Sequence, residues 1–187
     1  MTASKTEPCA SGVNVIAMRE AMEELVGASV VARAIERLPP EVRREYVEAT
    51  PLSWVRMSTS WQVVDAVAEE AGRDPEKLYD EAARLGIERS FKTVWRVLLR
   101  FTSDAALVTR SAVIFNKSRN IGVMTSRMVG PGRAESTITG WPGMKDRHIR
   151  GIVISMEAVL TLAGREGVRV TATPTRDGAF FQSRWSV

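Results

Sequence analysis

Few residues in this chain are equipped for bond-making. Its 187 residues hold one histidine, His148, and one cysteine, Cys9. Those counts exclude an internal disulfide, most metal sites, and every Ser-His or Cys-His pair that does not use His148. His148 lies in Lys145-Asp146-Arg147-His148-Ile149-Arg150, near the start of a helical-period segment, and has the chemistry of a haem ligand or an acid–base group. Asp146 is two positions upstream, where a helix does not turn the two side chains toward each other. The reading preferred for His148 is a partly exposed histidine near a helix start. The adjacent carboxylates Glu23-Glu24 and Glu69-Glu70 diverge on a helix, so they specify no acid–base pair and read as surface charges. Gly122, Gly130, Gly132 and Gly140 are followed by no Gly-Lys-Ser/Thr, which rules out a phosphate loop and leaves turn residues.

The aromatic residues say more. Large rings either line a cavity for an apolar ligand or fill a core, and core filling is the preferred reading. Trp54, Trp61, Trp95, Phe115 and Trp141 are the candidate ligand-binding residues; Trp185 completes the tryptophans. No catalytic residue and no metal ligand is assigned, and no cofactor is expected. With 26 Lys and Arg against 22 Asp and Glu, the net charge is only +4. The arginines are scattered among glutamates, which argues against nucleic acid as a partner. No apolar run is long enough to span a bilayer. The opening MTASKTEPCASG lacks the basic start and apolar stretch of a signal peptide, so a cytoplasmic location is expected.

The elements that position these residues follow from period and punctuation. Residues 1–12 are small and polar, with Pro8 and Gly12, and read as a disordered tail before a single domain over 13–187. Met18, Met22, Leu25, Val30, Val31, Ala34, Ile35 and Leu38 keep helical spacing, broken at Gly27-Ala28-Ser29, which predicts two helices with Ser29 as a cap. Pro39-Pro40 starts a third. A helix is predicted over Ser53–Ala71, another from Asp74-Pro75 to a break at Gly86, a strongly apolar one over Phe91–Phe101, and one from Ser103-Asp104 through Phe115. After Asn116 the composition turns to Thr, Val and Ile. Segments 121–129 and 134–141, separated by Gly130-Pro131-Gly132-Arg133, read as a hairpin. Met144–Ala163 returns to helical period, with Ile149, Ile152, Val153, Met156, Val159, Leu160 and Ala163 on one face. Burial of those seven side chains contributes about 10–15 kcal/mol before ordering entropy is subtracted. Val168–Ala172 and Phe180–Val187, joined by Arg176-Asp177-Gly178, form a second hairpin. Helices followed by strand-strand-helix-strand-strand give the α+β class with an antiparallel sheet.

Several motifs carry a resemblance. They are Leu52-Ser53-Trp54 followed by Trp61, Ala83-Arg84-Leu85-Gly86, Ser118-Arg119-Asn120-Ile121-Gly122, and a close that runs from Arg150-Gly151-Ile152 through Ala163-Gly164 and Asp177-Gly178 to Trp185. In these the chain resembles a myxobacterial family of uncharacterised proteins related to the four-vinyl-reductase and haem-nitric-oxide-binding superfamily. The resemblance covers about Val15 to Val187. It implies a sensor or scaffold fold, often dimeric, with relatives that bind small hydrophobic ligands, bind haem or serve as assembly platforms. Haem does not carry over residue by residue: the Tyr-x-Ser-x-Arg constellation is absent, and His148 falls in the helix between the hairpins. The cysteine-bearing ending of the four-vinyl-reductase branch is absent too.

The expectation is a non-catalytic sensory or protein-interaction module of bacterial signalling, homodimeric, binding a small hydrophobic ligand. Met- and Val-rich N-terminal helices leave apolar surface for a dimer or a pocket. The alternatives are a scaffold subunit of a protein complex and an enzyme that works without His or Cys.

Overall fold

The computed structural model describes residues 7–90 and 102–186. Their contacts divide the chain, read as one domain above, into two compact units: residues up to Gly86 with Ser118–Ile121, and Ile87–Lys117 with Gly122 onward. The helix expected over Phe91–Phe101 lies outside the described residues, and Trp95 with it.

The first unit is helical, with a small ribbon. Strand β1 (Cys9–Ser11) pairs antiparallel with β2 (Trp54–Arg56), Ala10 opposite Val55. Helices α1 (Gly12–Val26), α2 (Ala28–Glu36), α3 (Pro40–Val47), α4 (Met57–Ala71) and α5 (Pro75–Ser90) follow the proline and glycine punctuation. Their stripes turn inward, so Met22, Val31, Ala34, Tyr46, Val63, Val64, Val67 and Leu78 are almost wholly buried. Asp74 caps α5 as expected, its Oδ1 accepting the Lys77 N–H at 2.8 Å.

Four expectations are corrected in this unit. Residues 8–11 are not a free tail: β1 is held by β2, and the Met57 N–H donates to the Pro8 carbonyl at 2.9 Å. Main-chain pairing of three residues leaves no side-chain period to read. Trp54 and Val55 are strand rather than helix, because Glu45 accepts both the N–H and the guanidinium of Arg56 and holds the chain extended up to Met57. Gly27, not Ser29, precedes α2. At φ 92° it donates to the Glu23 carbonyl, ending α1, while its own carbonyl accepts from Val30 to open α2. Gly86 likewise does not end α5. It lies within the helix, where an added Cβ would come 3.2 Å from the Ala17 carbonyl oxygen, so close approach to α1 is what the missing side chain provides.

The second unit is a sheet with helices. Helix α6 (Asp104–Ser118) leads into β3 (Val123–Gly130) and β4 (Arg133–Thr139), α7 (Asp146–Leu162), β5 (Glu166–Thr175) and β6 (Gly178–Ser186). The strands are antiparallel in the order β3-β4-β6-β5. The expected α+β class is what the chain adopts. Period-two burial puts Ala134, Ser136 and Ile138 of β4 and Phe181, Ser183 and Trp185 of β6 on the covered face. Of the predicted stripe, Ile149, Ile152 and Leu160 of α7 and Ala163 just after it are buried, Val153, Met156 and Val159 are only half-buried, and Ile154 and Ala158 are buried in addition. Asp104, in the first turn of α6, accepts Arg165 Nε and Nη2 on Oδ1 at 2.9 and 2.6 Å and the Trp185 indole N–H on Oδ2 at 3.1 Å. Asn116 clasps the backbone of Met124: Oδ1 accepts its N–H at 2.7 Å and Nδ2 donates to its carbonyl at 3.0 Å. No helix among the described residues is long and apolar enough to cross a membrane.

Candidate functional site

The aromatic candidates are placed in different settings. In the first unit Trp54 is half exposed on β2, and Trp61 is partly buried on α4. In the second, Phe115 and Trp141 are buried. The ring of Trp141 lies against His148, centroids 4.7 Å apart. His148 is itself buried, 5% exposed, which corrects the partly exposed reading. It is drawn in because its Nδ1 accepts the Lys145 N–H at 2.9 Å, closing the first turn of α7 while the ring face meets Trp141. The four hairpin glycines sit at the turn and the ends of β3 and β4, as turn residues.

Glu70, expected as a surface charge, does structural work instead, and so does Glu45. Glu70 of α4 accepts from Arg33 and Arg37, tying α2 to α4. Glu45 gathers the Arg56 N–H and guanidinium at 2.8 Å and the Thr59 hydroxyl. Burial opposes its ionisation, but the hydrogen bonds from Arg56 and Thr59 outweigh that and hold the carboxyl below its ordinary value. Nearby, partial burial and the charges of Glu7 and Glu45 push the Cys9 thiol up, away from the reactive thiolate. The Ser118-Arg119-Asn120 motif is structural as well: Asn120 accepts the Cys9 N–H on Oδ1 at 2.6 Å and donates to the Glu7 carbonyl, while Arg119 bridges to Ala10.

A different set converges on a cleft. Helices α1, α2 and α3 enclose a concavity of about 440 Å³ whose lining includes Val31 and Ile35, Arg19 and Glu23. Tyr46 of α3, 1% exposed and outside that lining, has a buried hydroxyl with no hydrogen-bond partner among the described residues. Burial pushes its phenol well above the ordinary range, with Arg19 and Glu23 as the charges it feels. Sequence reasoning missed Tyr46. Its only signal was its place four residues after Val42 on the inward stripe of α3.

The fold defined by these elements is that of the haem nitric oxide/oxygen-binding (H-NOX) domains. An unliganded Fe(II) H-NOX variant from K. algicida matches at a TM-score of 0.68 and 10% identity, covering 95% of this chain and 97% of the other. An oxygen-binding H-NOX domain related to soluble guanylate cyclases matches at 0.66 and 14%, covering 95% of each. A structure studied for haem redox potential and porphyrin distortion matches at 0.65 and 16%, covering 95% and 99%. At such identities the likeness is one of fold. No protein-family model and no curated protein matches the chain.

The fold family implies a haem, and the donors present here do not fit one. An axial ligand needs a ring nitrogen presented to an open slot. The chain's one histidine spends Nδ1 on the Lys145 N–H, its Nε2 is buried, and it borders none of the concavities described. No group of three or more His, Cys, Asp or Glu among the described residues could hold a metal ion.

Proposed function

We propose that this protein is a non-catalytic sensory module of bacterial signalling that works in the cytoplasm as a homodimer and binds a small, largely apolar molecule in place of haem. The observation that carries the proposal is an H-NOX-like fold over nearly the whole chain, combined with a single histidine committed to capping α7. Fold-mates are named for oxygen binding, and a sensory role fits that company. The α1–α2–α3 cleft gives the molecule its receptor, at a volume within the range of small-ligand pockets. The five aromatic candidates stay in the reading as apolar surface. Trp54 and Trp61 offer ring area directly, Phe115 and Trp141 stiffen the second unit from within, and Trp95 keeps its sequence-based assignment. No convergent nucleophile and base is assigned.

A scaffold role is the second reading, favoured by Leu52 and Trp54, which are 93% and 50% exposed on the same loop-and-strand segment. Native mass spectrometry of the purified chain incubated with hydrophobic metabolites separates the two. A stoichiometric passenger on a dimer supports sensing. An empty protein that retains one specific partner, lost on Trp54→Ser, supports scaffolding and overturns the first reading.

A further inference from the structure

The register of the second unit's sheet brings three arginines side by side. Arg133 of β4 stands opposite Arg184 of β6, and Arg184 stands opposite Arg169 of β5, so the three form one row across neighbouring strands. They alternate with the buried Ala134, Val170, Ser183 and Trp185 and are exposed on the outer face of the sheet. Strands lie about 4.8 Å apart, so the row spans about 10 Å. Like charges directly opposite each other destabilise a sheet, and no carboxylate stands in this row. Among the described residues, none of the three guanidiniums has an ion pair or a side-chain hydrogen bond. Arg127, one row further in, does have one, with Glu135 at 2.8 Å. The surplus is general to this unit: over Ile87–Lys117 and Gly122–Val187, Lys and Arg outnumber Asp and Glu by about two to one, whereas acids are in the majority in the first unit. A sheet that keeps three unpaired like charges in register, at a cost to itself, breaks a local rule in the way functional surfaces do.

We propose that this row docks an acidic segment of a partner protein, one that presents two or three Asp or Glu side chains along about 10 Å. Alternate residues of an extended chain recur about every 6.6 Å on one face, and residues four apart on a helix about every 6 Å, so either form matches the row. Arginine forks suit the purpose, because each can donate two parallel hydrogen bonds to one carboxylate. The surroundings favour a short acidic segment over a nucleic acid. Carboxylates stand on both neighbouring rows, Glu135 on one side and Glu166, opposite Ser186, on the other. They would repel a phosphate strand that ran on past the three arginines, whereas a peptide can place neutral residues there. Nor does the row carry a ring to stack a base: Phe180, on the same face, is half-buried and two rows away. The proposal concerns the second unit alone and does not depend on what the cleft of the first unit binds.

Fluorescence anisotropy on the full chain tests it, with labelled hexaglutamate as the probe beside hexaglutamine and hexathymidylate carrying the same label. Hexaglutamate is expected to bind at least about tenfold more tightly than hexaglutamine at low salt and to lose most of that advantage by about 0.5 M salt. The double variant Arg169→Gln, Arg184→Gln is expected to weaken hexaglutamate about tenfold, while Arg110→Gln, the same change at an exposed position of α6, leaves it within about twofold. In the free protein Arg184→Gln should hold or raise the melting temperature, because it removes the centre of the row. Equal hexaglutamate affinity in wild type and the double variant overturns the proposal, and so does no binding of hexaglutamate. Tighter binding of hexathymidylate than of hexaglutamate, lost in the double variant, overturns it in favour of a nucleic-acid partner. A lower melting temperature in Arg184→Gln would show that the row serves the fold, and overturns it as well.

Discussion

The indole N–H of Trp185 donates to Oδ2 of Asp104 at 3.1 Å, fastening the last strand to the first turn of α6. The same carboxylate holds Arg165 through Oδ1, and Arg165 also donates to the Thr102 carbonyl. Asp104→Ala would strand a guanidinium that is only 13% exposed and an indole N–H together. A loss of about 2–4 kcal/mol is expected. Urea unfolding checks it, with a lower midpoint and an unchanged slope.

Acid sensitivity should trace partly to Glu45. Its carboxyl is held below the ordinary value of 4.5, so its contribution is complete above that pH and fades as pH falls through the lower folded value. Glu45→Gln should therefore cost stability at neutral pH and almost none in strong acid. Melting temperatures measured from pH 7 down to about 3 test this, and parallel curves for the two proteins would contradict it.

Tyr46→Phe should stabilise the unliganded protein or leave it unchanged, within about 1 kcal/mol, because the hydroxyl removed has no described partner. A clear loss of stability without ligand would show that the hydroxyl already has one.

His148 supports structure, so His148→Ala is expected to cost about 1–3 kcal/mol through the lost cap of α7 and the lost contact with Trp141. Hemin added to the wild-type chain should give no stoichiometric Soret band. A band that appears with wild type and vanishes in the variant would reverse the assignment of this residue.

Much of the second unit was legible in the sequence because its signals are side-chain signals. Gly130-Pro131-Gly132-Arg133 and Asp177-Gly178 mark both hairpins, and the Ile149–Leu160 stripe marks α7. What escaped is carried by the main chain or by distant partners. The β1–β2 ribbon has three residues on each side and no alternation long enough to register. Trp54 and Val55 read as the start of a helix because the Glu45–Arg56 bond that keeps them extended spans eleven residues. The cleft was illegible for a related reason: Arg19, Ile35 and Arg43 sit on three helices whose proximity only folding decides. His148 was visible as a residue, but its burial depended on Trp141, seven positions earlier and across a turn.

Asn116 has a wider effect than its two hydrogen bonds. Its amide fills the slot beside Met124 that a neighbouring strand would otherwise occupy. Asn116→Ala should expose that border, and light scattering near the unfolding midpoint should rise well before it does for wild type. The side chain thus behaves as a one-residue false strand: at this end of β3 the sheet is already finished, and fibrous stacking of copies would have to start further along.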